Sequence, residues 1–204
     1  MKLIDLSHPL NNLTSTYPSD PDISIIREKN IDTDNTLLHS FKMGTHSGTH
    51  LDAPAHIIND GKTIDKFLLS HFSGTTIKVD KNTYNYLDYI DFAISGVIYD
   101  TGWYKKFNNS EIFYGSDRPE IPIELIKKLK KNKINFFGCD LPSVDCSGSK
   151  EKIIHNALLG ENIIIYETLA NLDRLPSKKP FEFYGFPLPI ENLDGSPVRA
   201  VACI

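Results

Sequence analysis

Between Thr45 and His56 the chain reads Thr-His-Ser-Gly-Thr-His-Leu-Asp-Ala-Pro-Ala-His, and no other stretch restricts its folding so tightly. A regular helix is disfavoured. Gly44, Thr45, Gly48 and Thr49 are poor helix formers, and Pro54 pushes Ala53 out of the α region. A tight turn at a strand end is predicted instead, with Gly48 letting the backbone fold back so that His46 and His50 converge. Four of the chain's 7 histidines (His39, His46, His50 and His56) crowd into this neighbourhood. Imidazole nitrogen and carboxylate oxygen are the ligands that borderline divalent metals take, so His46, His50 and Asp52 read as metal ligands. No cysteine lies nearby, which favours an open, water-activating site over a closed structural one. His56 lies beyond the trio, where a neutral imidazole can take and return a proton. His8, His39 and His71 read as ordinary surface or core histidines.

The pattern His46-x-x-x-His50-x-Asp52-x-Pro54-x-His56, with Gly48-Thr49 before His50, resembles the motif of the cyclase-like metal-dependent hydrolases. Bacterial kynurenine formamidase belongs to that family. The resemblance covers nearly the whole chain and implies one domain over residues 1–204. It implies an α/β fold of the swivelling β/β/α type, with a mixed sheet core and flanking helices. It also implies that His46, His50 and Asp52 bind metal, that Asp52 bridges two ions, and that His56 shuttles the proton. The family has a histidine followed twelve residues later by a glutamate, as His155 and Glu167 are here. By resemblance His155 holds the second ion and Glu167 bridges both. The residues agree with this for Glu167: it ends the β-branched run Ile163–Tyr166, where an unpaired carboxylate would be expensive.

Thr16-Tyr17-Pro18-Ser19-Asp20 resembles the family's aromatic-Pro-small-Asp segment, whose aromatic ring flanks the substrate. Kynurenine formamidase has tryptophan there; Tyr17 still offers a stacking face. The implied cofactor is two divalent ions per chain, zinc foremost and manganese as the alternative. The implied reaction is hydrolysis of a C–N amide bond, with N-formyl-kynurenine as the leading substrate. A cyclic amide or imide opened by the same chemistry is the alternative. A non-catalytic metal-binding protein on the same scaffold would need the ligands but not His56. The resemblance also suggests Asp140 as an acceptor that orients a metal-bound histidine. Trp103 could line the pocket mouth or be simply core.

The remaining composition narrows the partners. With 204 residues the chain can bury a real core. A net charge of -4 leaves no electrostatic footprint for nucleic acid. No apolar run is long enough for a membrane span, and the N-terminus lacks a signal-peptide layout. Cys139, Cys146 and Cys203 form no CxxC pair, which fits a reducing cytoplasm. A small-molecule amide is the expected partner. The family's members are typically homodimers or larger, so a homodimer or homotetramer is expected.

Strands are predicted over Met1–Leu6, Ile23–Arg27, Phe41–Thr45, Gly74–Val79, Gly96–Tyr99, Ile134–Cys139 and Ile163–Tyr166. The pair around residues 23–45 could deliver the metal turn. Helices are predicted over Tyr84–Tyr89, after Pro122 with Leu125, Ile126 and Leu129 inward, and over Lys150–Leu159 carrying His155. The lysines of the second helix read as a solvated face. A closing hairpin is predicted from Phe181–Ile190 and Val198–Ile204, joined around Asp194-Gly195-Ser196-Pro197.

Overall fold

The computed structural model describes residues 1–204. In chain order its strands are β1 (Leu3–Asp5), β2 (Ser24–Lys29), β3 (Leu38–Lys42), β4 (His50–Asp52), β5 (Ser73–Val79), β6 (Gly96–Tyr99), β7 (Phe136–Cys139), β8 (Ile164–Glu167), β9 (Pro180–Tyr184), β10 (Gly195–Pro197) and β11 (Val201–Cys203). Its α-helices are α1 (Ile31–Asp34), α2 (Ser110–Phe113), α3 (Ile123–Lys131) and α4 (Ile153–Leu159). Nine strands form one sheet in the order β1-β11-β9-β5-β6-β7-β8-β4-β10. The strands β5, β6, β7 and β8 are parallel, and the strands on either flank are antiparallel. This is the expected mixed α/β architecture with flanking helices. No helix is long and apolar enough to cross a membrane.

Parallel strands buried on both faces need apolar side chains on both sides. β8 shows the result: Ile164 and Tyr166 enter one core cluster and Ile165 the other. The first cluster packs α3 and α4 on the sheet through Leu125, Ile126, Leu129, Ile154 and Leu158. The second fills the opposite face with Leu51, Phe136, Phe183 and the terminal strands. Side chains alternate along a strand. With Leu51 in the second cluster, His50 and Asp52 face the side that carries α4. Glu167, two residues after Ile165, faces that side too. A register slip of one residue in β4 would send His50 and Asp52 to the wrong face, and one in β8 would do the same to Glu167.

Two expectations need correction. β2 and β3 pair only with each other, in a separate hairpin whose β3 is exposed throughout, so they do not carry the metal turn into the sheet. The segment 194–197 is not a hairpin turn. Gly195–Pro197 forms β10 and pairs antiparallel with β4, Gly195 opposite Asp52. β9 and β11 do pair, but the chain between them detours to the far edge of the sheet. Local turn chemistry at Asp194-Gly195 concealed a long-range pairing.

Candidate metal centre

The turn before β4 puts Gly48 at φ 62, a left-handed conformation that other residues adopt at a cost. The chain then enters β4, where His50 lies directly opposite Glu167 of β8. Asp52 follows on the same face. α4 lies against β8 and brings His155 over these residues. His50, Asp52, His155 and Glu167 are all buried.

Their geometry is a cage of two nitrogens and two carboxylates. His50 Nε2 lies 3.4 Å from Asp52 Oδ1 and 3.6 Å from Glu167 Oε2. His155 Nε2 lies 3.5 Å from Asp52 Oδ2 and 3.5 Å from Glu167 Oε1. These separations are too long for good hydrogen bonds and suit donors that converge on a common partner. The other ring nitrogens are tied down. His50 Nδ1 is 2.8 Å from the Gly48 carbonyl, and His155 Nδ1 is 2.6 Å from Asp145 Oδ2. Such contacts fix the ring orientation and leave Nε2 as the inward atom. Asp52 Oδ2 is buried and makes no hydrogen bond. An orphaned carboxylate oxygen is costly to bury unless a cation meets it. The donor set therefore fits a divalent metal.

His46 and His56 border this cage. His46 Nδ1 is 2.7 Å from Asp52 Oδ1, and its Nε2 is 2.8 Å from Asp194 Oδ2. Both nitrogens are thus engaged, so ligation by His46 requires one of these bonds to open. His56 Nδ1 lies 3.4 Å from the same Asp194 oxygen, and the His46 and His56 rings are 4.1 Å apart. One atom of each of His46, Asp52 and His56 can also converge on a common point.

Charge follows the same layout. Burial opposes protonation of His50, but Asp52 and Glu167 outweigh it and raise the imidazole to about 10. His46 is raised to about 9 against the same opposing burial, by Asp52 and Asp194. His155 is raised to about 9, with Asp145 and Asp52 overcoming burial. Burial works against ionisation of Asp52, yet the surrounding imidazoles hold it well below the usual carboxylate range. A metal cation would take the place of these protons.

The sequence-predicted residues His46, His50, Asp52, His56, His155, Glu167 and Tyr17 all line one cavity or its floor. The cavity holds about 170 Å³, room for roughly one aromatic ring. Tyr17 meets Tyr114 edge to face at 5.9 Å, and together they wall one side. Two suggested residues lie elsewhere. Asp140 accepts from the Thr101 N–H, the Thr101 hydroxyl and the Tyr104 N–H, so it anchors a loop and orients no histidine. Trp103 packs on the core and donates Nε1–H to the Phe113 carbonyl. Asp145 does the orienting instead, and it also accepts from the Ile154 N–H at the start of α4. Sequence reading missed Asp145, Asp194 and Tyr114. Asp145 follows β7 among ordinary turn residues, Asp194 passed for a turn residue, and Tyr114 lies in a polar stretch without periodicity.

Comparison with known proteins agrees with this fold. The "Putative cyclase" family model matches residues 4–146. The kynurenine formamidase of Bacillus anthracis is 31% identical over 208 residues, covering 98% of this chain and 96% of that protein. A protein of Methanocaldococcus jannaschii without assigned function is 33% identical over 205 residues and covers 100% of both. Among solved structures, an isatin hydrolase bound to the product analogue thioisatinate superposes with a TM-score of 0.87 at 24% identity. It covers 100% of this chain and 92% of that one. Isatin hydrolase A from Ralstonia solanacearum gives 0.84 at 22%, covering 100% and 92%. Mixed sheet and buried histidine-carboxylate cage together define a hydrolase of the metal-dependent kind. The chain belongs to the cyclase family.

Proposed function

We propose that this chain hydrolyses the C–N amide bond of an aryl formamide, with N-formyl-kynurenine as the leading substrate and kynurenine and formate as products. The observation that carries the reading is the inward pair of Nε2 atoms facing Asp52 and Glu167, with Asp52 Oδ2 left without a partner. His46, His50, Asp52, His155 and Glu167 would hold two divalent ions, zinc or manganese. Bound there, the metal would lower the pKa of water toward about 7 and polarise a carbonyl.

The chain's own residues supply the rest. Tyr17 and Tyr114 offer ring faces and edges to an aryl group beside the cage. His56 borders the same cavity, and its Nε2 makes no hydrogen bond within the chain. It takes a proton from the attacking water and returns it to the nitrogen of the leaving amine. Asp194 lies 3.4 Å from His56 Nδ1 and orients the ring for these two transfers.

Opening of a cyclic aryl amide or imide is the second reading. Tyr17 favours it, because the ring at this place is smaller than the tryptophan of kynurenine formamidase. A panel of N-formyl aryl amines and cyclic imides, assayed with zinc-loaded and manganese-loaded protein, tests both. Formate release from the linear substrates is expected. Metal uptake with no turnover of any amide would favour a non-catalytic metal-binding protein. We also propose a homodimer or homotetramer in the cytoplasm; light scattering on the purified chain tests the assembly.

A further inference from the structure

We propose that Lys152 and Asp20 read the substrate by charge. The cavity would then take an aryl amide that carries a carboxylate and an ammonium on one short arm, as an α-amino acid end does. The inference rests on the amide-hydrolase reading above and narrows its substrate class.

Lys152 and Asp20 line the cavity that His50, His155 and Glu167 also line. Both are half-buried. Lysines that leave full exposure elsewhere in this chain have carboxylate partners: Lys78 pairs with Asp100 and Lys128 with Asp88. Lys152 is the other lysine below full exposure, and its ammonium has neither an ion pair nor a hydrogen bond. Asp20 likewise has no cationic partner; its carboxylate accepts only from the Ser19 hydroxyl at 3.3 Å. The two do not pair with each other, although one cavity contains both. Opposite charges that line one cleft without pairing are a template for a ligand with the complementary charges.

The aromatic residues Tyr17 and Tyr114 line the same cavity, and a second groove shares Tyr17, Asp20 and Tyr114 with it. The aryl ring would rest on this wall with its amide toward the cage. Lys152 would meet the carboxylate and Asp20 the ammonium of the attached arm. A neutral cyclic amide would leave both charges unanswered, and the loss of matched polar partners is what lets a site reject an analogue.

The test compares the metal-loaded chain with its K152M, K152R and D20N variants. Substrates are N-formyl-kynurenine, its des-amino analogue and formanilide. K152M should lower the kcat/KM preference for N-formyl-kynurenine over formanilide about tenfold, mainly through KM, and K152R should restore most of it. D20N should lower the preference over the des-amino analogue about as much. Calorimetry with kynurenine and 2-aminoacetophenone reads binding without turnover. K152M should weaken kynurenine about tenfold relative to 2-aminoacetophenone. Substrate and ligand ratios unmoved by K152M and D20N would overturn the proposal. Should no amide be turned over by the unmodified chain, the hydrolase reading fails, and the calorimetric ratio alone supports or overturns the charge template.

Discussion

His155 Nδ1 lies 2.6 Å from Asp145 Oδ2, and this contact decides which ring atom meets Asp52 and Glu167. The same carboxylate accepts from the Ile154 N–H, while Arg118 holds the Asp145 carbonyl at 2.7 Å. Asp145→Asn keeps the shape but can place a donor against Nδ1, favouring the tautomer with its proton on Nε2. Metal affinity should fall about 10- to 100-fold. Isothermal titration of zinc into the metal-free variant checks this. Unaltered affinity would mean that His155 is not held for ligation.

His56 borders the cage without entering the buried pair of imidazoles, so chemistry and metal binding should separate there. His56→Ala should retain metal and lose about 10²- to 10⁴-fold in kcat. Asp194→Asn, which removes the carboxylate against both His46 Nε2 and His56 Nδ1, should lose about tenfold in kcat and bind metal more weakly as well. Metal analysis by mass spectrometry beside steady-state kinetics reads both quantities on one sample. A His56→Ala variant with undiminished turnover would remove this ring from the mechanism.

Much of this site was legible because its chemistry is written in unusual residues. His46, His50, Asp52 and His56 cluster within two turns and the short strand between them, and Gly48 and Pro54 argued against a helix before any coordinates. Glu167 ends a run of apolar residues, so its depth followed from the strand itself. What stayed hidden depends on long-range pairing. Asp194 and Gly195 carry ordinary turn residues, yet β10 is a strand because β4 offers it an edge. Asp140 and Asp145 sit five residues apart after β7, and sequence alone cannot tell which carboxylate faces a histidine. The burial and hydrogen bonding of the loop decide it, and they choose Asp145.

Gly195 is a second test of that pairing. A Cβ there would stand 2.6 Å from the Leu51 carbonyl and 2.7 Å from His46 Cε1. The carbonyl belongs to β4 and cannot move without shifting His50 and Asp52. Gly195→Ala should therefore destabilise the chain by about 2 kcal/mol or more and weaken metal binding. Thermal unfolding with and without zinc checks both effects. Unchanged melting would mean that β10 is not seated against β4.

His8 gives a pH signature outside the cage, although its backbone N–H donates to the Thr49 hydroxyl beside His50. Its ring stacks on Phe107 at 3.7 Å, and its buried Nε2 has no partner. Burial pushes its pKa down to about 4 from an ordinary value of 6.5, with Asp5 opposing. The folded state thus prefers the neutral ring. The associated stability is full above about pH 6.5 and is lost as pH falls through 4. Allowing for the ring's partial contact with water, the loss is on the order of 2 kcal/mol. His8→Phe keeps the stack and removes the titration, so its melting temperature should fall less between pH 7 and pH 4. Parallel curves for the two proteins would contradict this.

The claim on which the rest depends is that Asp52 and Glu167 share metal with His50 and His155. Anomalous diffraction from crystals soaked in zinc or manganese tests it most directly. The account predicts two peaks, with Asp52 and Glu167 contacting both and the Nε2 atoms of His50 and His155 each contacting one. A metal-saturated crystal with no peak between these four side chains, or with density only among His46, His56 and Asp194, would contradict it.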